Sequence, residues 1–434
     1  MAAASREGQP WLPFVVFCAI GLLWLPALAG PFQFDDYNVI VGYAPVQSLA
    51  GWWQSLPGLR PLLKLSYALN WSVSPAPFGF HLVNLLLHLL NGALLLAWAR
   101  RALPLDRTAA LALVALWLLH PVQTEAVTYI AGRSVTLSAT FLFAGLLLLA
   151  RGGARAPAGA ALCTALALAV RETAWVFPLV FALALWMQGQ AARAVARAVA
   201  PSLLVVAVAA VLFLLEPHYR QMIDTSFGLR EAGAQLRAQV VAQGYLLAQL
   251  VTLAPNIDPD LRVPAAWSPL LAAALAAWLA VMAGALAGVL RHRSWLAAGV
   301  LWFGLLLLPT NSLMPRVDLA SERHLYAAWL GPLWCGVWLL RDWRWRAWPA
   351  ALLLGLLATA TLVRNEDYRS ELALWARTAQ QSPHKARVWN NLGVACREAG
   401  HRDCAEAAFT RALELDPVDP RAGANLYFLR HPRP

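Results

Sequence analysis

Long apolar runs, separated by short polar segments, occupy most of the chain from residue 12 to residue 363. Most of these runs are apolar all round a helix rather than along one stripe, and several approach the roughly 20 residues that a membrane-spanning helix needs. The pattern predicts an all-α, polytopic membrane bundle. We place about eleven spans, at 12–29, 79–98, 108–120, 134–150, 158–170, 173–189, 199–216, 268–290, 295–309, 326–340 and 347–363.

A different pattern begins beyond residue 363, where charged and apolar residues alternate at helical spacing. We therefore divide the chain into a membrane domain over 1–365 and a small helical domain over 366–434. The second domain carries tetratricopeptide spacing, in which a repeat of about 34 residues forms two helices packed through small residues. The residues that fit this spacing are Trp389, Leu392, Gly393, Gly400, Ala405, Phe409, Ala412 and Pro417.

Two further features extend this repeat on either side. Trp375 and Pro383 have the spacing of the repeat's own second helix and predict a degenerate preceding repeat. Leu426 lies 34 residues beyond Leu392 and predicts a capping helix. Because repeats bury their faces against neighbours, this small α-solenoid should rest on the membrane domain or on a partner.

The composition agrees with a membrane protein, because 60% of the residues are hydrophobic, 13% are charged and the mean hydropathy is +0.55. A soluble domain of 434 residues has too little interior to bury so much apolar surface. The net charge of +11 comes largely from arginines clustered between apolar runs. Such clusters are typical of membrane topology rather than of nucleic-acid binding, so no nucleic-acid partner is predicted.

The arginine clusters predict the orientation of the bundle. They fall in alternate connections, so the positive-inside rule places them and the amino terminus in the cytoplasm. The domain over 366–434 then lies on the periplasmic side of a bacterial inner membrane, or on the lumenal side of an endoplasmic-reticulum membrane. This count requires the stretch 238–254 to lie on the outer face as an amphipathic or re-entrant helix. The clustered residues are Arg100, Arg101, Arg107, Arg151, Arg155, Arg193, Arg197, Arg291, Arg293, Arg341, Arg344 and Arg346.

Two adjacent acids open the first outer-face loop. This loop covers 30–75, and a second long outer segment covers 217–267. Asp35 and Asp36 are candidates for a general base, since neighbouring carboxylates resist ionising together and the pKa of one should rise. The structural alternative is that both acids mark the water boundary of the first span.

Basic residues predicted on the same face are candidates for binding a phosphate, because a guanidinium can hold two phosphate oxygens at once. These candidates are Arg60, Lys64, Arg133, Arg171 and Arg323. Glu125, Glu172 and Glu322 are interpreted as acids that orient the cations. The alternative for Arg171 and Glu172 is an ion pair that caps a helix end, and the same alternative applies to Arg323 beside Glu322.

A polar stripe follows the second span. His81, Asn84, His88 and Asn91 recur at spacings of three and four residues, which places them on one helix face. Hydrogen bonding between helices explains this stripe better than metal ligation does. His81 is also a candidate for orienting groups near the site.

No nucleotide-binding or zinc-binding motif occurs in the sequence, so no cofactor is predicted with certainty. A divalent cation stays open, with Asp36, Asp258 and Asp260 as weak candidates for oxygen ligands. An ordinary turn is the alternative for Asp258 and Asp260. Cys396 and Cys404 lie on successive helices of the repeat and form a candidate disulfide in an oxidising compartment, unless either faces the repeat core instead.

Seven segments together resemble the transmembrane and tetratricopeptide O-mannosyltransferases and their bacterial relatives, which are GT-C membrane glycosyltransferases. The segments are "FDDYNVI", "RPLLKLSYALN", "HLVNLLLHLLN", "HPVQTEAVTYIAGR", "VRETAW", "PTNSLMPRVDLASERHLY" and "RNEDYRSELALWARTAQQSPHKARVWNNLG". They cover nearly the whole chain in the family's order. Two departures are an array of only about one and a half repeats and Arg171 before Glu172, where the family commonly has Lys.

The resemblance implies a polyprenyl-phosphate-linked sugar donor, most simply a mannose-like hexose, and an active site at the outer face. The acceptor would be a hydroxyl, on Ser or Thr of a protein or peptide, with Asp36 or Asp35 as the general base. Alternatives are a glycan- or lipid-directed GT-C transferase and a non-catalytic, membrane-anchored tetratricopeptide scaffold. A transporter is disfavoured because the charges gather at one face rather than at mid-helix.

Overall fold

The computed structural model describes residues 10–56, 58–312, 314–342 and 347–431. The regular structure of these residues is helical, and no β-strand occurs among them, which confirms the all-α prediction. Arg344 and Arg346 of the last predicted arginine cluster lie outside the described residues.

The membrane domain is a bundle of α-helices of very different lengths. In chain order they are α1 Leu12–Leu23, α2 Leu49–Gln54, α3 Pro61–Val73, α4 Pro77–Ala102, α5 Arg107–Leu119, α6 Thr124–Val127, α7 Arg133–Arg151, α8 Ala156–Val170, α9 Phe177–Met187, α10 Ala192–Leu215, α11 Pro217–Gly228, α12 Ala232–Thr252, α13 Pro269–His292, α14 Trp295–Leu307, α15 Leu325–Ala328, α16 Leu330–Leu339 and α17 Ala347–Asp367. Several of these helices begin at a residue whose side chain accepts a hydrogen bond from a free backbone N–H group of the first turn. Ser48, Asp106, Ser268 and Ser294 cap α2, α5, α13 and α14 in this way.

Six helices of the described chain are long and apolar enough to cross a membrane. They are Leu12–Ala29, Pro77–Ala102, Ile130–Arg151, Ala192–Leu215, Pro269–His292 and Trp348–Asp367. A seventh span is formed if Arg107–Leu119 and Pro121–Val127, which meet at a bend of 54°, cross as one unit. The other four predicted runs form apolar helices of 10–17 residues. Helices therefore occur at every predicted position, whereas the number of eleven crossings stays a prediction.

The bundle core contains a cluster of buried tryptophans. Trp98 stacks on Trp302 with ring centroids 5.6 Å apart, and Trp334 contacts both rings edge-on. Around this core α7 packs against α4 and α8, and α14 packs against α13 and α16. By contrast, only 11% of the apolar segment of α10 and 6% of that of α13 is buried within the protein. Exposed apolar surface of this extent is typical of contact with lipid.

The carboxy-terminal domain consists of consecutive helices that pack pairwise, α18 Glu371–Gln381, α19 Ala386–Glu398, α20 Arg402–Leu415 and α21 Pro420–Arg430. α19 and α20 form the hairpin that the repeat spacing predicts. A β-carbon at Gly393 would come within 2.5 Å of the Phe409 ring, so these helices approach closely because residue 393 has no side chain. Gly400 turns the chain between them at a φ of +80°. The tetratricopeptide assignment itself stays a prediction.

Candidate functional site

The two adjacent acids after the first span point to different surroundings. Asp36 is buried, and its two carboxylate oxygens accept hydrogen bonds from the backbone N–H groups of Gln33, at 3.0 Å, and Ala131, at 2.7 Å. Burial is the largest influence and raises the pKa of Asp36 to about 8, although these two N–H groups act to lower it. Asp36 thus ties the loop after α1 to the segment that precedes α7.

Asp35 instead lines an open cavity of about 480 Å³. The cavity lies between the loop after α1, the first turns of α3, the segment before α7 and the loop that follows α14. The backbone N–H of Asp35 donates to the Tyr129 hydroxyl at 2.9 Å, which fixes the loop beside the cavity. The charged residues lining this space, hereafter the cationic cavity, are Asp35, Arg60, Lys64, Arg171, Arg316 and Arg323.

Arg60 directly precedes α3 and is held by a bidentate ion pair with Glu172. Its Nε lies 2.9 Å from Glu172 Oε1 and its Nη2 lies 2.9 Å from Glu172 Oε2, while the Tyr219 hydroxyl donates to the same acid at 3.3 Å. Glu172 therefore fixes the Arg60 guanidinium beside the cavity, and the orienting role in a binding site that the sequence indicates for it stays a prediction. The alternative ion pair between Arg171 and Glu172 does not form in the described structure.

Arg323 is oriented by a second buried acid, Glu125. The Arg323 Nε lies 3.4 Å from Glu125 Oε1, and the Arg323 backbone N–H donates to Oε2 at 2.9 Å. Ser321 Oγ donates to Glu125 at 2.6 Å and fixes the carboxylate. Burial alone would lower the pKa of Arg323, but Glu125 and its other neighbours raise it above the usual value, so Arg323 stays cationic.

The remaining cations of the cavity are held more loosely. Arg171 is buried, and its side chain makes one hydrogen bond within the described chain, from Nη1 to Ser134 Oγ at 3.0 Å. Lys64 Nζ lies 2.9 Å from the Tyr43 hydroxyl. The Arg316 guanidinium has no hydrogen bond or ion pair to any described residue. These side chains keep donors for an anion that enters the cavity.

A second cavity, of about 730 Å³, adjoins the first and shares Arg60, Arg316 and Arg323 with it. His324 and residues of α11, including Tyr219, complete its wall. Sequence reasoning missed Arg316 and His324 as site residues. Both fall in "PTNSLMPRVDLASERHLY", seven residues before and one residue after Arg323 respectively, so a count of every cation in that outer loop could have found Arg316.

Curated relatives that align with part of the chain share one name. Protein O-mannosyl-transferase Tmtc2 of Drosophila melanogaster is 36% identical over 130 residues, which cover 26% of this chain and 14% of that protein. Protein O-mannosyl-transferase TMTC4 of Homo sapiens is 31% identical over 160 residues, covering 30% of this chain and 22% of that protein. The chain is related to the transmembrane and tetratricopeptide O-mannosyltransferases. The human TMTC3 alignment, 28% identical over 175 residues, covers 37% of this chain and 19% of the relative.

The aligned segments of these O-mannosyltransferases thus span less than a quarter of each relative. No family model matches the chain. The alignments support the resemblance drawn from the motifs, and the activity of the whole chain is therefore a matter of proposal.

Arg133, one of the predicted phosphate-binding residues, does not lie at the cationic cavity. Its side chain is fully buried and donates to the side-chain oxygens of Asn84, at 2.8 Å, and Asn70, at 2.9 Å. It also donates to the carbonyls of Ser66 and Phe80. Its donors are therefore used inside the protein, and it does not line the cationic cavity.

The polar stripe of α4 makes the predicted hydrogen bonds to other helices, with Leu118 of α5, Thr136 of α7 and Tyr326 of α15, and it also bonds to loop carbonyls. His81 Nε2 lies 3.0 Å from the carbonyl oxygen of Gly30, which precedes Asp35 by five residues. Asn84 donates to the carbonyls of Val127, Tyr129 and Ile130. His88 and Asn91 both reach the Tyr326 hydroxyl. The stripe and Arg133 are hereafter called the polar seam.

Glu322 does not orient a cation of the cavity. It is buried and accepts hydrogen bonds from the Tyr245 hydroxyl, at 2.5 Å, and the Asn256 backbone N–H, at 2.6 Å. Burial raises the pKa of Glu322 to about 8. It links the loop after α14 to α12 and to the segment that follows α12.

The weak metal candidates do not fit a cation site. Asp258 is buried and its oxygens contact Lys385 Nζ, at 2.5 Å, and Arg387 Nε, at 2.9 Å. Asp260 lies 3.8 Å from Arg262, and both oxygens of Asp36 are already bonded. Within the described ranges, no three His, Cys, Asp or Glu side chains come together as metal ligands.

The candidate disulfide pair comes together at the turn of the α19–α20 hairpin. Cys396 and Cys404 are bonded through their sulfurs, with Cα atoms 5.8 Å apart. Cys163 is buried as a thiol in α8. A disulfide persists in an oxidising compartment, so this bridge is consistent with a periplasmic or lumenal position of the carboxy-terminal domain.

Proposed function

We propose that this protein is a membrane glycosyltransferase that moves a hexose, mannose-like in the simplest case, from a polyprenyl-phosphate donor to a Ser or Thr hydroxyl of a protein or peptide. The observation that carries the proposal is a single carboxylate, Asp35, among five described cations in one cavity. A base opposite an excess of phosphate-binding groups fits sugar transfer from a lipid phosphate. The partial alignment with protein O-mannosyltransferases supports the same sugar and acceptor classes.

The chemistry needs a base for the acceptor and cations for the leaving group. Asp35 takes the proton of the acceptor hydroxyl. At the same time the hydroxyl oxygen forms a bond to the anomeric carbon of the sugar, with inversion at that carbon. The bond between that carbon and the phosphate oxygen breaks, and the phosphate leaves with the electron pair. Arg171, Arg316 and Arg323 stabilise the charge that grows on the phosphate, because preorganised donors act strongly where water is excluded.

Of the two acids, we assign the base to Asp35. Its carboxylate borders the cavity, whereas both oxygens of Asp36 accept backbone N–H groups and are buried. A base must come within hydrogen-bonding distance of the proton that it removes. Asp36 then serves to hold the loop in place.

The proposal also includes the orientation that the arginine clusters predict. The cationic cavity would open to the periplasm or the endoplasmic-reticulum lumen, with the amino terminus in the cytoplasm. The carboxy-terminal domain would lie on the same outer side, where an oxidising compartment would keep the Cys396–Cys404 bridge. Labelling of single cysteines introduced at exposed Val317 and in the Arg151 turn with a membrane-impermeant reagent tests this, since the two sites should label from opposite sides.

Transfer is tested with purified protein in lipid nanodiscs. The protein is incubated with radiolabelled polyprenyl-phosphate hexoses, mannose first, together with Ser- and Thr-containing peptides, glycans and lipids as acceptors. Label on a peptide hydroxyl, absent with empty nanodiscs, supports the proposal. Label confined to glycan or lipid supports the alternative transferase, and a protein that neither binds nor consumes any donor is a scaffold, which overturns the proposal.

A further inference from the structure

The carboxy-terminal domain directly contacts the loop that carries Asp35. The Phe34 backbone N–H donates to Glu371 Oε1 of α18 at 2.6 Å. The second oxygen of Glu371 accepts from Trp375 Nε1 at 2.6 Å, and the Trp375 ring meets the Phe34 ring edge-on at 5.1 Å. Gln33 Nε2 also donates to the Tyr368 carbonyl at 2.8 Å. The residues just before Asp35 are therefore held from outside the membrane domain.

This contact acts on a backbone that is unfavourable by itself. Phe34 has a φ of +48°, in the left-handed region that residues with a β-carbon rarely adopt. Such a conformation persists where its surroundings impose it. The hydrogen bond from the Phe34 N–H to Glu371 is formed at this residue, so Glu371 is placed to hold the turn that directs Asp35 into the cationic cavity.

A second attachment fixes the helix that carries Glu371. Asp258 contacts Lys385 and Arg387 at the start of α19, and Arg387 also reaches Asp318 at 2.6 Å. Nearby, Asn256 Nδ2 donates to Ser382 Oγ at 2.8 Å. These bonds tie the turn between α18 and α19 to the segment after α12 and to the loop after α14. The carboxy-terminal domain thus contacts both the loop after α1, which carries Asp35, and the loop after α14, which carries Arg323.

We propose that Glu371 is a positioning residue for Asp35, and that the carboxy-terminal domain contributes to catalysis by holding the loop that carries Asp35. The inference rests on the proposed function for its catalytic consequence. Its structural consequence, that Glu371 holds the Phe34 turn, can be measured without any transfer.

The test compares three variants of the full chain in nanodiscs. Glu371→Ala removes the acceptor of the Phe34 N–H, whereas Glu371→Gln keeps one oxygen for it. Glu398→Ala is the matched control, because Glu398 is an exposed acid of α19 that lines, together with Phe34 and Glu371, a cavity of about 180 Å³ and makes no described hydrogen bond to Phe34. We expect Glu371→Ala to lower kcat by about ten- to a hundredfold, since a small misplacement of a catalytic group has effects of that size.

The other expected results separate positioning from general damage. The KM for the donor should stay within about twofold, because the cations are untouched, and Glu371→Gln should recover most of kcat. Adding Phe34→Gly to Glu371→Ala should restore about threefold or more of the lost rate, because glycine adopts positive φ without steric cost. A kcat for Glu371→Ala equal to that of wild type and Glu398→Ala overturns the proposal, as does an equal loss in Glu371→Gln with no rescue by Phe34→Gly.

Hydrogen–deuterium exchange provides the measurement that does not depend on transfer. Peptides covering residues 32–41 should exchange faster in Glu371→Ala than in wild type or Glu398→Ala, while peptides from α4 stay unchanged. Equal exchange in all three proteins overturns the positioning role even if transfer is observed. Faster exchange together with no transfer by the wild type leaves the positioning contact supported and rejects the proposed function instead.

Discussion

Two buried arginines on neighbouring elements show how the polar seam differs from the cationic cavity. Arg133, in the seam, donates to two asparagine oxygens and two backbone carbonyls. The side chain of Arg171, in the cavity, makes one described hydrogen bond, to Ser134. Buried polar groups normally find partners within the protein. Under the proposed function, Arg171 with its unused donors meets the ligand, whereas Arg133, with acceptors for most of its donors, is part of the scaffold.

The two acids of the first loop repeat this contrast at adjacent positions. Asp36 has both oxygens bonded to backbone N–H groups, and Asp35 has its carboxylate at the cavity. The seam and Asp36 fix where the loops lie, and under the proposed function the cavity residues meet the substrate. The following predictions test whether bonding partners do separate the two classes.

The largest effect is expected from Asp35→Asn. Removing the general base should lower transfer by about 10²–10⁴-fold, while the protein remains folded because this side chain faces open space. Initial rates of labelled peptide, compared at equal amounts of folded protein, measure it. Asp36→Asn provides the contrast, since it should lower stability and leave measurable transfer in the folded fraction. If Asp35→Asn transfers as fast as wild type, Asp35 is not the base.

Arg133→Ala should mainly affect folding. It leaves the oxygens of Asn84 and Asn70 without their donor in a buried setting, and each such group costs about 1–3 kcal/mol. We expect little folded protein after detergent extraction, by size-exclusion profile and thermal melting. Arg171→Ala, assayed in parallel, is the matched change. A normal yield and melting temperature for Arg133→Ala would show that Arg133 is not needed for folding, and that its hydrogen bonds do not distinguish it from Arg171.

The helices and the broad location of the site could be predicted from the sequence, because apolar runs and clustered charges are local features. Helices occur at every predicted run, and Glu172 and Glu125 each form an ion pair with an arginine of the cavity. The number of membrane crossings could not be predicted from the sequence in the same way, because several apolar runs form helices that are too short to span a membrane without flanking residues.

The roles of individual charges did not follow from the sequence because distant partners decide them. Asp36 is bonded to the Ala131 N–H, 95 positions away, and this bond distinguishes it from Asp35. Arg133 and Arg171 look alike as single basic residues beside apolar runs, yet only Arg133 has Asn84, Asn70 and two backbone carbonyls as acceptors. Asp258 was weighed as a metal ligand, and its partners Lys385 and Arg387 come from the other domain.

Arg171→Met should lower activity with little change in stability, opposite to Arg133→Ala. The variant leaves only the Ser134 hydroxyl without its partner, so melting should change slightly. Loss of one charge-assisted phosphate contact should reduce transfer by about ten- to a hundredfold, and Arg171→Lys should keep part of it. Steady-state rates and melting temperatures of the same preparations measure both. A strong loss of stability in Arg171→Met would make it a seam residue.

The smallest expected effect, measured per pH unit, concerns the pH dependence of stability. The pKa of Asp36 is about 8 in the folded protein and about 3.9 in an unfolded chain, so the folded state keeps a proton that the unfolded state has released between these values. Stability should therefore fall as pH rises from about 4 to about 8 and level off above, with a contribution from this group of at most about 1.4 kcal/mol per pH unit.

Asp36→Asn has no proton to lose at this position, so its melting temperature should vary less steeply over that window, whatever its absolute value. Glu322, whose pKa burial also raises to about 8, remains in the variant and maintains part of the slope. Glu322→Gln should flatten the same window by a comparable amount, and Asp224→Asn, an exposed acid on α11, should leave the wild-type slope. Parallel curves for Asp36→Asn and wild type would mean that Asp36 is ionised in the folded protein, and that its two backbone N–H groups outweigh burial.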